Sequence, residues 1–326
     1  MASAGAMNRA PTHFMSEISP KTPAAISIQN LTKYYKTLKA VDDVSFEIHE
    51  GDFFGFLGPN GAGKTSTISA ITGLANFQAG EVRVFGYDVI NDYRVTRRLI
   101  GLAPQDFNFD PFLSAEQILF YEAGYFGLRP KLARARTAEL LEMFDLSDKW
   151  KVSYRRLSGG QKRRLMIARA LIHQPKILIL DEPTAGIDVE LRHELWRFLA
   201  ELNQLGTTIF LTTHYIEEAE RLCNKIGVIH GGKLVSFGGR AELIKSMRSD
   251  RIEVRIKERL QTVPDRLKIL HAELANEGQL LSFREDRSHL NEVLREIFNG
   301  GLTVESIDVK KTTLEDVFIA LTHKRS

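Results

Sequence analysis

The chain has 326 residues and a net charge of +3, with 43% hydrophobic and 26% charged residues. A protein of this length and balance buries an ordinary core without disulfides or structural metals, and so small a charge gives no reason to expect a nucleic-acid partner. Cys223, the only cysteine, excludes an intramolecular disulfide; it lies in an apolar-periodic stretch and is expected to be a small buried side chain.

Residues 1–25 hold Ala, Ser, Pro and Thr without an apolar h-region. They are not a secretory signal and read as a disordered tail, with Met7 and Met15 as alternative starts. No apolar run reaches the roughly 18–20 residues that cross a bilayer. From residue 26 the chain alternates polar and apolar in short pieces (ISIQNLTKYY, AVDDVSFEI, DFFGFL), the pattern of strands. The next eight residues, GPNGAGKT at 58–65, satisfy G-x-x-x-x-G-K-[ST]. A phosphate chain needs several converging backbone N–H groups, and glycines let the backbone fold tightly enough to supply them. Lys64 would bring a point charge to the β- and γ-phosphates, and Thr65 a hydroxyl to Mg²⁺. Residues 65–74 then read as a helix, with Ile68, Ile71 and Leu74 at helical spacing, whose N-terminus favours an anion. The competing reading is an ordinary glycine-rich turn.

EVRVFG and LIGLAPQ at 81–105 continue the strand signals. Between 114 and 146, Ile118, Leu119, Tyr121, Leu140, Leu141, Phe144 and Leu146 fall at helical spacing, and the pattern runs on through 159–172. LSGGQ at 157–161 opens that last helix. Ser158 and the N–H groups of Gly159 and Gly160 would form an anion-binding concavity there. Arg155, Arg156, Lys162, Arg163, Arg164 and Arg169 bracket it, either as a solvated face or as added positive potential near a polyphosphate. Phe107, Phe109, Pro111 and Phe112 crowd the start of the insert, as core or as a groove for a partner's short helix.

ILILDE at 177–182 is an apolar strand ending in two acids. Asp181 would stand at a sheet's C-terminal edge, where ligands bind in open α/β folds, and would hold Mg²⁺. Glu182 is placed to orient or deprotonate an attacking water; the alternative is an acidic pair capping the next turn. A helix at about 189–204 and strands at 208–212, 226–229 and 232–238 follow. Short, uniformly apolar strands alternating with helices indicate a parallel sheet covered on both faces. After 248 the pattern changes to IEVRI (252–256), LLSF (280–283), a helix near 289–298, a strand at 303–309 and a final helix with Thr312 and Glu315 at capping-box spacing. This stretch, 248–326, reads as a small α+β appendix. One chain cannot easily present two phosphate-binding surfaces to one γ-phosphate, whereas a second copy facing it can, which argues for a two-fold dimer.

In their order and spacing these motifs resemble the nucleotide-binding subunit of an ATP-binding cassette (ABC) transporter over about residues 26–240. The resemblance implies a P-loop NTPase core of RecA-like α/β type, with an antiparallel β subdomain and a helical insert at about 106–165. It makes Gly58, Pro59, Asn60, Gly61, Ala62, Gly63, Lys64 and Thr65, followed by Ser66, the Walker A loop, and ILILDE the Walker B strand. Ser158, Gly159, Gly160 and Gln161 become signature residues that contact nucleotide, and Gln105 the Q-loop residue that touches Mg²⁺ beside Thr65 and Asp181. His214 becomes the switch histidine at the γ-phosphate, catalytic with Glu182 and Lys64. Asp188 in AGID becomes the D-loop acid at the dimer seam, although Ala185 stands where a serine is common. Tyr35, with Tyr34 adjacent, sits where the family stacks an aromatic ring on adenine. The wording from LSGGQ to TTHYIEEAE and the ending TTLEDVFIALT resemble export-type subunits that pair with ABC-2 permeases. The implied function is ATP hydrolysis with Mg²⁺ by a homodimer, peripheral to the cytoplasmic side of the membrane and coupled to a separate integral membrane permease. The alternative is a soluble cassette ATPase without a transport role, such as an assembly scaffold.

Overall fold

The computed structural model describes residues 24–106, 109–246, 251–268, 272–284, 290–310 and 312–323. In chain order its elements are β1 (Ile26–Tyr35), β2 (Leu38–Ile48), β3 (Phe53–Leu57), α1 (Lys64–Ile71), β4 (Ala79–Val84), β5 (Tyr87–Asp88), α2 (Tyr93–Leu99), β6 (Ile100–Ala103), α3 (Ala115–Tyr125), α4 (Pro130–Met143), α5 (Gly159–Ala170), β7 (Ile177–Asp181), α6 (Val189–Gln204), β8 (Thr208–Thr213), α7 (Ile216–Leu222), β9 (Lys225–His230), β10 (Lys233–Gly239) and α8 (Arg240–Ser246). The C-terminal part adds β11 (Arg251–Ile256), α9 (Asp265–Lys268), β12 (Ala272–Ala275), β13 (Leu280–Arg284), α10 (Leu290–Asn299), β14 (Val304–Lys310) and α11 (Leu314–His323).

Three sheets result. The first, β2-β1-β4-β5, is antiparallel. The second runs β10-β9-β3-β8-β7-β6; β9, β3, β8, β7 and β6 are parallel, and β10 closes one edge as an antiparallel hairpin. Its central strands β3, β7 and β8 are buried at every position because both faces are covered. Alternate residues serve two cores. Phe54, Phe56, Ile177, Ile179 and Phe210 face the antiparallel sheet and α1, joining Phe46 in an aromatic cluster. Phe53, Leu57, Leu178, Leu180 and Leu211 face the helices between β6 and β7. In that insert, Ser114 and Gln117 form a capping box that starts α3, and Pro130 starts α4. Leu74, read as part of the first apolar stripe, lies beyond α1 and is exposed. Residues 1–23 of the stretch read as a tail, and Phe107, lie outside the described residues, whereas Ala25 is fully buried.

The third sheet, β12-β13-β11-β14, is antiparallel and packs Ile252, Val254, Leu281 and Phe283 against Val293 and Ile297 of α10. α11 leaves this sheet and returns to the cassette, where Leu314 and Val317 join the helical-side core and the Leu314 N–H donates to Glu220 Oε1 of α7 at 2.7 Å. Its capping box is Thr313 with Asp316, one residue later than the Thr312–Glu315 pair. Asp serves at the third position as well as Glu, and the shift brings Leu314 and Val317 onto the buried face.

Candidate active site

The phosphate loop leaves β3 at Gly58 and enters α1 at Gly63, and two of its glycines are fixed by space. A Cβ on Gly58 would lie 2.5 Å from the Ile229 carbonyl oxygen, and one on Gly63 2.5 Å from that of Ala40. Gly63 also has φ 111°, so only glycine turns the chain into the helix without strain. No side chain caps α1, which leaves its first N–H groups for an anion. Pro59, Asn60, Gly61 and Thr65 are on the exposed side of the loop, while Ala62 is buried and Ser66 half-buried. Lys64 is 4% exposed, and Nζ donates to the carbonyls of Gly58 (2.7 Å) and Pro59 (3.2 Å) and pairs with Glu182 Oε1 at 3.1 Å. All three ammonium protons are thereby engaged by the protein.

The acids stand where β7 ends. Thr65 Oγ1 donates to Asp181 Oδ2 at 2.9 Å, and Thr212 Oγ1 of β8 donates to Oδ1. Glu182 has φ 49°, a left-handed backbone that costs a non-glycine residue about 1–3 kcal/mol. Its N–H donates to the Thr212 carbonyl at 3.1 Å, which holds that turn. The carboxylate is 7% exposed. Oε2 meets His214 Nδ1 at 3.2 Å and accepts from Gln105 Nε2 at 3.4 Å, while Oε1 faces Lys64. Lys64, Gln105 and His214 thus converge on the Glu182 carboxylate, with Thr65 and Asp181 beside it.

The signature residues lie on a different surface. Ser158 and Gln161 form a reciprocal capping box on α5: Gln161 N–H donates to Ser158 Oγ at 3.3 Å and Ser158 N–H to Gln161 Oε1 at 3.0 Å. Asp188 caps α6 by accepting from the Leu191 N–H at 2.9 Å. A Cβ on Gly160 would strike the Leu191 side chain at 2.3 Å, so this glycine seats α5 against α6; a Cβ on Gly159 meets nothing within 4 Å. Ser158 to Gln161, Gly186 and Asp188 line an open groove of about 600 Å³. Among the described residues no hydrogen bond or ion pair joins these side chains to Lys64, Asp181 or Glu182.

The link between the two surfaces is Arg163, which the sequence reading had grouped with a basic face. It is 5% exposed, and its guanidinium donates to the Gln105 carbonyl at 3.3 Å and the Ala185 carbonyl at 3.4 Å. Two of its neighbours are engaged within the chain: Arg164 pairs with Asp145 and Glu194, and Arg169 lies over the Phe109 ring. Phe109 packs on Tyr154 and the helical core, leaving Phe112, 81% exposed, as the apolar residue on display there. Tyr34 and Tyr35 are both half-open at the end of β1, with Lys39 over the first ring and Lys33 over the second. Thr212 was missed in the sequence; the signal was a hydroxyl pair, Thr212–Thr213, ending an otherwise apolar strand.

A phosphate loop, a strand-end acid pair and a separate helix-borne LSGGQ surface define a P-loop ATPase cassette. Residues 41–185 match the family described as "ABC transporter", and residues 238–322 match the "ATP-binding protein DrrA1-3-like, C-terminal domain". The chain is 38% identical over 306 residues to the Nod factor export ATP-binding protein I of Burkholderia thailandensis, covering 92% of this chain and 97% of that one. It is 36% identical to the daunorubicin resistance ATP-binding protein DrrA3 of Streptomyces coeruleorubidus, covering 91% and 96%. Its fold matches the dimeric bacterial ABC transporter cassette MJ0796 with a TM-score of 0.61 at 30% identity, over 66% of this chain and 98% of that one. The same cassette, solved as a post-hydrolysis dimer with ADP and Pi, matches with a TM-score of 0.61 at 29% identity. The chain belongs to the ABC transporter family, as an ATP-binding, ATP-hydrolysing subunit with a DrrA-like C-terminal domain.

Proposed function

We propose that this chain is the ATPase of an exporter, that it hydrolyses ATP as a homodimer, and that it passes the closing motion to a separate integral membrane permease on the cytoplasmic side of the membrane. The export role is drawn from relatives named for Nod factor export and for daunorubicin resistance. Among the described residues no helix is long and apolar enough to cross a membrane, in keeping with a separate permease chain. Phe112 is the exposed apolar side chain beside the Q-loop that a permease helix could cover.

The placement of these residues supports the following roles. The N–H groups of Gly58 and of residues 60–65 and the Lys64 ammonium hold the triphosphate, and Tyr35, by the family resemblance, stacks the base. Thr65 Oγ1 and Asp181 Oδ2 are oxygen donors 2.9 Å apart at the loop's rim. Among the described residues there is no cluster of three acidic, His or Cys side chains. That donor set suits Mg²⁺, which takes one or two protein oxygens and completes its shell with phosphate and water. Thr65 and Asp181, with Gln105 in reach, would hold the ion, which supplies charge neutralisation at the phosphates when bound. Glu182 accepts the proton of the attacking water, and His214 fixes the carboxylate that does so. Lys64 pairs with Glu182 at 3.1 Å, so a γ-phosphate held by the lysine would compete with the base for it and release the base. Ser158, Gly159, Gly160 and Gln161 of one copy, with Asp188, complete the site of the other.

The observation that carries this reading is the division of the machinery into two surfaces whose nucleotide-facing side chains, among the described residues, share no hydrogen bond or ion pair within one chain. Complementation tests it. Lys64→Ala disables the first surface. Gly159→Asp puts a carboxylate on the second, where the fold has room for it. Each variant alone should lose ATPase activity. Mixed, half of the dimers should carry one intact site, restoring roughly a quarter of wild-type turnover on two-fold symmetry. No recovery on mixing would refute the shared site.

A further inference from the structure

α7 starts behind His214, and its third residue is an acid that solvent does not reach. Glu218 is 0% exposed, and among the described residues no cation pairs with it. A buried carboxyl without a counter-charge is costly unless it is neutral and hydrogen-bonded. Glu218 Oε1 accepts from the indole N–H of Trp196 at 3.0 Å, and Trp196 is itself 1% exposed on α6. The Thr184 and Thr213 hydroxyls stand around the same carboxyl. Glu218 Oε2 and Thr184 Oγ1 are both buried without a partner. The nearest cation, Arg192 of α6, is turned over the Tyr215 ring at 4.8 Å.

These contacts join three segments of the site. Thr184 lies between Glu182 and the D-loop; Trp196 is on α6, which Asp188 caps; Glu218 is on α7, four residues after Glu182's partner His214. We propose that Glu218 is a positioning residue: it ties the D-loop helix to the helix behind His214, so that docking of a second copy at Asp188 is carried to the His214–Glu182 pair. Burial pushes the Glu218 carboxyl above the usual carboxylate range.

This inference rests on the proposed dimeric ATPase, and wild-type turnover with its loss in Glu182→Gln checks that reading separately. Glu218→Ala should lower kcat about tenfold or more with the KM for ATP within about twofold, because nucleotide still meets an intact phosphate loop. Glu218→Gln keeps the acceptor for Trp196 and a donor for Thr184, and should keep at least about half of the wild-type kcat. An unchanged kcat in Glu218→Ala, or a Gln variant as slow as the Ala variant, would overturn the proposal. If Glu218→Ala does not fold, Trp196 itself decides. The chain has two tryptophans, so Trp150→Phe in the Glu182→Gln background isolates it. ATP-driven dimer formation should then change Trp196 emission, and an unchanged spectrum would overturn the proposal.

Discussion

The two surfaces that bear on nucleotide are built in opposite ways. Around Lys64 and Glu182 the side chains are 4% and 7% exposed, interlocked by hydrogen bonds, and held on a strained turn. Around Ser158 and Asp188 they line an open groove, and their hydrogen bonds go to their own helix ends. Electrostatic stabilisation is effective when donors are fixed before the charge develops. In the proposed mechanism the Lys64 surface carries the chemistry. The hydrogen bonds of Ser158 and Asp188 are spent on capping their own helices. If hydrolysis requires the proposed dimer, keeping the second surface apart holds a single copy inactive.

The contrast can be broken most severely at Glu182. Replacing it with Gln keeps the shape and the Gln105 and His214 contacts but removes the proton acceptor. Turnover should fall about 10²- to 10⁴-fold, the range of general-base catalysis. The variant should still bind ATP and should accumulate as a dimer, visible by gel filtration with ATP. Unchanged turnover would mean that the buried cluster is structural. Ser158→Ala is a smaller and different test. It removes a helix cap worth about 1 kcal/mol, which lowers Tm by roughly 2–4 °C in a domain of this size. It also removes a hydroxyl that only the partner's nucleotide would meet. If the surfaces are separate, its ATPase defect should grow on dilution, whereas its Tm shift should not.

How far each surface is legible in the sequence follows from the same contrast. GPNGAGKT, ILILDE and LSGGQ are each contiguous, so their chemistry is legible locally, and the short apolar strands alternating with helices around them indicate the parallel sheet that the fold shows. What joins them is not local. Arg163 reads as one of a run of basic residues, yet it shares the inward face of α5 with Ile167 and Ala170, and only the fold shows the Gln105 and Ala185 carbonyls waiting for it. The left-handed turn at Glu182 depends on Thr212 from another strand. α11 follows the small sheet in sequence but spends its apolar face on the cassette, a long-range packing that the local pattern does not carry. Tyr34 and Tyr35 differ by one position on an exposed strand end, and nothing in either the pattern or the packing separates them.

The smallest expected effect on turnover at pH 7 lies at another joint between the surfaces. His173 follows the far end of α5 and meets the Ile100 carbonyl, at the start of the strand that leads to Gln105, through Nε2 at 3.0 Å. Its ring stacks flat on Phe126. Burial lowers its pKa to about 4, against the hydrogen bond to Ile100, which favours the charged form. The unfolded residue titrates near the ordinary histidine value of about 6.5. Between the two values the unfolded chain binds more protons than the folded one, so stability falls as pH drops from about 6.5 to about 4 and this contribution levels off below. At pH 7 it is nil. His173→Gln keeps a donor for Ile100 but does not titrate. Urea unfolding at pH 7, 5.5 and 4.5 should show wild type losing ground to this variant across the window. A constant gap between them would show that the charged ring is accommodated, and that α5 is held to the Q-loop strand less tightly than its packing indicates.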